Sequence, residues 1–226
     1  MAALKVEHLE KELGTQKSLI LKDLNFSVNE GEFVSLIGKS GSGKSTLLYI
    51  LSTLDWPTRG VVSFFDRDVA KMSDPELHKL RNRNIGFVFQ FHYLLPELTA
   101  LENILMPARK AGMLEQKKEF AESILESVGL KDRMHHLPRE MSGGQCQRVA
   151  IARSLVMEPK FLFADEPTGS LDSANSVMVF DIFKRINKEM KTTIVMVTHD
   201  PELAAATGRQ IHLVDGMLVK DERVES

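Results

Sequence analysis

The chain has 226 residues, with 29 Lys and Arg against 31 Asp and Glu and a formal charge of −2. That length allows one large α/β domain or two small ones with a real core. With 43% hydrophobic and 27% charged residues, the composition is that of a globular protein and excludes a disordered or fibrous one. The lack of basic excess argues against a nucleic-acid footprint. The single cysteine, Cys146, excludes an internal disulfide and fits a reducing compartment. The opening MAALKVEHLEKELG carries acids and no apolar stretch of signal-peptide length. Apolar runs such as IVMV at 194–197 are strand-sized, far short of a membrane span. The expectation is a soluble chain; if it works at a membrane, some other subunit must hold it there.

In chain order, LKVEHL and LILKDLNFSV alternate apolar and polar residues and predict half-buried antiparallel strands. After the turn Asn29-Glu30-Gly31, EFVSLIG is almost continuously apolar, as in a central strand covered on both faces. It runs into glycines, and STLLYILSTL then reads as a helix. Residues 61–65 (VVSFF) and 85–90 (IGFVFQ) predict further strands. From about 97 to 157 the period becomes helical, with charged faces in LEQKKEFAESILESVGL and QRVAIARSLVM. FLFAD (161–165) and TIVMVT (193–198) return to the buried-strand pattern, with a helix over 173–190 between them. IHLVDGMLVKDE predicts a closing hairpin around Asp215-Gly216.

Gly38-Lys39-Ser40-Gly41-Ser42-Gly43-Lys44-Ser45 fits the pattern G-x-x-x-x-G-K-[ST], and it stands where that pattern has meaning, between a buried strand and a helix. Glycines let the backbone wrap a phosphate, with its N–H groups and the helix N-terminus aimed at the anion. Lys44 has the reach for β- and γ-phosphates, the Ser45 hydroxyl suits Mg²⁺, and Thr46 follows in the same turn. The fold class predicted is α/β: a phosphate-loop NTPase core with a mainly parallel sheet, an N-terminal antiparallel β part and a helical insertion. It forms a single domain over 1–226, the core at about 1–90 and 158–226 and the helical subdomain at about 91–157.

Asp165 and Glu166 end an apolar strand. Successive side chains on a strand diverge, so the two acids are expected to do different work. Asp165 would hold Mg²⁺ through water, and Glu166 would orient or deprotonate the attacking water. An acid pair at a strand end also serves as a solvated terminus or helix cap. Many phosphate-loop NTPases share it, so alone it does not separate a motor from a kinase or a switch.

Met141-Ser142-Gly143-Gly144-Gln145, followed by QRVAIARSL, closely resembles the LSGGQ signature of ABC ATPases, with Met in place of Leu. Its physical sense is a second anion site, a serine and bare glycine backbone at a helix N-terminus. Gln90 resembles the Q-loop glutamine, Ser170-Leu171-Asp172 the D-loop, and His199 the switch histidine, all in the expected order. The resemblance covers essentially the whole chain and implies ATP and Mg²⁺ as cofactors. It implies a homodimer in which Ser142–Gln145 of one chain closes over the nucleotide on Gly38–Ser45 of the other. Gln90 would contact Mg²⁺ with Ser45 and Asp165, Asp172 would cross the interface, and His199 would meet the γ-phosphate. It also implies permease subunits contacting the region after Gln90, no nucleic-acid partner, and a peripheral place on the cytoplasmic face of the bacterial inner membrane.

One position departs from the family pattern. Where an aromatic usually stacks on adenine, the stretch Lys11-Glu12-Leu13-Gly14 has none, so Leu13 stands in and looser base discrimination is expected. Residues 89–107, FQFHYLLPELTALENILMP, most resemble ATPases that drive lipoprotein release from the inner membrane of Gram-negative bacteria. ATPases of macrolide-type tripartite efflux and of cell-division permease complexes are the alternatives. Phe91, Tyr93, Leu94, Leu95 and Leu98 are expected to form a groove for a permease coupling helix, about half of them serving the core instead. Cys146 and the pair His135-His136, diverging on a helix, read as structural.

Overall fold

The structure, a computed structural model, describes residues 2–224. It begins with β1 (Ala2–Leu13), β2 (Ser18–Asn29), β3 (Phe33–Ile37) and α1 (Lys44–Leu51). Next come β4 (Arg59–Phe64), β5 (Arg67–Asp68), α2 (Asp74–Arg83) and β6 (Ile85–Val88). Helices α3 (Ala100–Lys110), α4 (Leu114–Ser127) and α5 (Gly143–Leu155) precede β7 (Phe161–Asp165). The chain then runs through α6 (Ser173–Met190), β8 (Thr193–Val197), α7 (Pro201–Ala205), β9 (Arg209–Val214) and β10 (Met217–Arg223).

Two sheets result. One is antiparallel with the order β2-β1-β4-β5; the other has the order β10-β9-β3-β8-β7-β6. In the second, every pair is parallel except β9–β10. The pleat sorts its side chains. On β7, Phe161 and Phe163 enter the core shared with the antiparallel sheet, while Leu162 and Ala164 enter the core shared with the helices. On β8, Val195 and Val197 face the first core, and Ile194 and Met196 the second. Both strands are buried throughout, which explains their unbroken apolar runs.

The remaining elements differ from the sequence reading in small ways. IGFVFQ ends as a strand at Val88, leaving Phe89 and Gln90 beyond it, and TIVMVT ends at Val197. β4 stops at Phe64 because Phe65 and Asp66 turn through positive φ of 48° and 59°. Helix α2 is not announced by hydrophobic period, since Leu77 is its only buried residue. Its start is chemical: the Glu76 carboxylate accepts from Ser73 N–H at 3.0 Å and Oγ at 2.8 Å, with proline in the first turn. His135 and His136 lie on no helix, contrary to expectation; they follow a 3₁₀ turn at Lys131–Arg133. The carbonyls of Met134 and His136 accept from Leu101 and Ala100 N–H, so this stretch satisfies the open end of α3. No helix among the described residues is long and apolar enough to cross a membrane.

Candidate nucleotide site

The loop Gly38–Gly43 joins central strand β3 to α1. Gly43 caps α1 with φ of 96°, a left-handed conformation, and supplies no side-chain bond to the helix end. The first N–H groups of α1 are thus turned toward a ligand position without a side-chain cap. Lys44, nearly buried, donates its Nζ to the Lys39 carbonyl at 2.9 Å. The buried Ser42 Oγ has no hydrogen-bond partner among the described residues. A loop that holds its cation on its own backbone and leaves a buried hydroxyl unpaired is arranged for an anion.

Below the loop, Ser45 Oγ donates to Asp165 Oδ1 at 2.9 Å. Tyr49 stands one turn further along α1; burial first, and the neighbouring Asp165 carboxylate second, push its phenol up to about 12. Glu166 follows β7 with φ of 44°, its N–H donating to Val197 O at 3.0 Å. That turn aims its carboxylate away from Asp165 and toward His199, whose Nδ1 lies 3.4 Å from Oε2. The divergence expected of the acid pair is therefore present, sharpened by a left-handed residue.

A cleft of about 520 Å³ lies above these groups. Gly38, Ser40, Gly41, Gly43, Lys44, Ser45, Thr46, Glu166 and His199 line it, with Leu13 and Ile20 forming an apolar wall. Its volume is in the ordinary range for a small-molecule site. Gln90 sits beside the loop after Glu166: Ser170 Oγ donates to its carbonyl at 3.3 Å, and its Nε2 is 3.1 Å from where a Cβ would stand on Gly169. Among the described residues it makes no hydrogen bond to Ser45 or Asp165. The expected oxygen set of Ser45, Asp165 and Gln90 consists of hard donors, and the first two already converge, so the residues suit Mg²⁺.

The second predicted group stands elsewhere. Ser142 caps α5: its Oγ accepts from Gln145 N–H at 3.3 Å, and its own N–H donates to Gln145 Oε1 at 2.8 Å. Ser142 and Gly143 are exposed, and no residue of 142–145 lines the cleft. Asp172 caps α6, accepting from Asn175 N–H at 2.9 Å and Nδ2 at 2.7 Å. Those bonds hold its carboxyl below the usual carboxylate range. Of the residues after Gln90, Phe91, Tyr93 and Leu95 are exposed, while Leu94 packs on the helical core. Cys146 is buried with its Sγ 3.6 Å from Pro138 O.

The sequence model of the ABC transporter family matches residues 21–169. The chain belongs to the ABC transporter family. Relatives called lipoprotein-releasing system ATP-binding protein LolD are 52% identical in Leptospira interrogans, over 100% of this chain and 94% of the relative, and 57% identical in Aquifex aeolicus, over 88% and 89%. A bacterial ABC transporter cassette solved as a dimer superposes with a TM-score of 0.89 at 39% identity, covering 99% of both chains. An ATP-binding cassette in a post-hydrolysis state bound to ADP and Pi gives 0.86 at 37%, also over 99% of both.

Within this ABC ATPase, four residues that sequence reasoning passed over support the site. Ile20 completes the apolar wall opposite the loop. Tyr49 stands beside Asp165, whose carboxylate helps raise its phenol. Gln147, fully buried, donates its Nε2 to Phe89 O at 3.0 Å and Pro167 O at 2.8 Å, tying the residue before Gln90 to the turn after Glu166. Asn175 holds Asp172. A polar residue inside a helical apolar stripe, as Gln147 is in QRVAIARSL, was the available signal for the third.

Proposed function

We propose that this ABC ATPase works as a homodimer at the cytoplasmic face of a bacterial inner membrane, with permease subunits, to drive the release of lipoproteins. One observation carries the catalytic part: phosphate loop, Glu166 and His199 share one cleft, while Ser142–Gln145 stands exposed at a different helix end. An exposed anion-binding segment absent from its own cleft supports a site completed by a second copy. The dimeric cassette at TM-score 0.89 supports the same arrangement. Lipoprotein release rests on identities of 45–57% to relatives bearing that name. Residues of about 1–90 and 158–226 form the catalytic core in this reading, and about 91–157 a helical subdomain.

ATP occupies the cleft with its phosphates on Gly38–Ser45 and its base against Leu13 and Ile20. Ser45 and Asp165, with Gln90, would hold Mg²⁺, which when bound offsets charge on the β- and γ-phosphates. Lys44 turns from the Lys39 carbonyl to the phosphates. Closure by the partner's Ser142–Gln145 segment brings N–H donors to the γ-phosphate and excludes bulk water. Glu166 takes the proton of the attacking water, and His199 orients Glu166 and meets the γ-phosphate. Exposed Phe91, Tyr93 and Leu95 face the permease.

Mixing two inactive variants tests the shared site. A dimer of one Lys44→Ala chain and one Ser142→Arg chain has one site lacking both elements and one site intact. Hydrolysis above that of either homodimer is expected. No recovery, together with no crosslink between cysteines introduced at the two facing segments, overturns the shared site.

A further inference from the structure

Asn175 stands in the first turn of α6 and bridges two loops of the same chain. Its Nδ2 donates to Asp172 Oδ2 at 2.7 Å. The other edge of the carboxamide lies on Gly144: a Cβ there would sit 2.4 Å from Asn175 Oδ1 and 2.7 Å from its Cγ. Side chains do not pack that closely, so the carboxamide can rest there only while residue 144 is glycine. Gly143 differs, since a Cβ at that position meets nothing within 4 Å. The two glycines thus serve separate ends. Gly143 leaves bare backbone on an open surface, and Gly144 seats Asn175.

We propose that Asn175 is a positioning residue: it locks the Asp172 segment to the Ser142–Gln145 segment, so that both interface elements of one chain approach the partner's nucleotide as a unit. This rests on the shared site proposed above and adds to it a device that sets the site's geometry. Among the described residues Asn175 makes no hydrogen bond to a residue lining its own cleft, so its effect falls on closure and turnover. Nucleotide capture on Gly38–Ser45 is left alone.

The test is steady-state ATP hydrolysis and ATP titration on the full chain. The variants are Gly144→Ala, Asn175→Ala, Asn175→Asp and the double Gly144→Ala/Asn175→Ala. Contacting residues couple by amounts that correspond to several-fold to about 100-fold in rate, so each single change is expected to lower kcat about tenfold with ATP affinity within about twofold. Asn175→Asp keeps the shape, loses the donor, and places an acid where a helix N-terminus favours it. A drop in kcat with no drop in Tm for this variant separates positioning from folding. In the double variant the clash has lost its partner, so its kcat matches that of Asn175→Ala. Losses that multiply, or wild-type kcat in Asn175→Asp, overturn the proposal. The Lys44→Ala and Ser142→Arg mixture distinguishes the two failures. Recovery there with multiplied losses here removes the Asn175 strut alone; no recovery there removes the shared site on which it depends.

Discussion

Glu166 Oε2 and His199 Nδ1 face each other at 3.4 Å across the ends of neighbouring parallel strands. Asp165 and Val197 are paired in register, so the residues just beyond them leave the sheet together. Replacing Glu166 with Gln keeps size and removes the base. Turnover is expected to fall about 100-fold or more, the usual worth of a positioned base. ATP still binds, and a nucleotide-bound dimer accumulates on size-exclusion chromatography with Mg-ATP. His199→Ala is expected to slow turnover as well, and adding it to Glu166→Gln to cost little more, since in the proposed mechanism the two act on one proton transfer. Near-normal turnover in Glu166→Gln removes that residue from the mechanism.

Ser45 donates to Asp165 under the loop, with Tyr49 beside that carboxylate. Chelation of divalent cations is expected to abolish hydrolysis. Asp165→Asn is expected to raise the Mg²⁺ concentration for half-maximal rate about 10- to 100-fold, and Tyr49→Phe less, in line with losses of metal-orienting groups. Mg²⁺ titration of the hydrolysis rate measures both. An unchanged Mg²⁺ dependence in Asp165→Asn counts against its role.

Phe91 and Tyr93 are 58% and 63% exposed and stand edge to face with ring centroids 6.4 Å apart. Aromatic anchors at interface centres are commonly worth about 2 kcal/mol or more. If the proposed permease docks here, replacing Phe91 and Tyr93 together with Ser is expected to abolish co-purification with it while the isolated chain still binds ATP. Retained co-purification moves the docking surface elsewhere.

Gln147 satisfies two main-chain carbonyls from inside the core. Gln147→Leu fills similar space and leaves both carbonyls unpaired, which costs about 1–3 kcal/mol. For a chain of this size, thermal unfolding should occur about 2–4 °C lower per kcal/mol lost. Calorimetry that finds an unchanged Tm would assign the amide no structural weight.

Leu13 and Ile20 give the cleft an apolar wall without an aromatic face. Stacking on an aromatic ring is worth roughly 1–3 kcal/mol per base in nucleic-acid sites. Without it, phosphate contacts common to all triphosphates dominate. GTP is expected to support hydrolysis within about tenfold of ATP, a difference of about 1.4 kcal/mol. Leu13→Tyr should tighten ATP binding in a direct titration. A strong ATP preference in the unaltered chain means that another side chain reads the base.

What the sequence determined by itself was whatever depends on neighbours along the chain. The buried strands at 161–165 and 193–197 were legible because every residue on them is covered, and α6 because its apolar stripe repeats. The phosphate loop was legible because glycines, lysine and serine must follow one another to surround a phosphate. α2 was not, since a capping box starts it and hydrophobic period does not. Only the tertiary structure decided which distant groups meet. Ser45 and Asp165 are 120 residues apart and touch because β3 and β7 flank β8 in one sheet. Gly144 reads as one more phosphate-binding glycine until α6 is packed beside α5, when Asn175 explains it. Residue type and spacing encode local conformation and the chemistry a side chain can offer. Contact between segments is set by the packing of buried faces, and that exists only once the chain has folded.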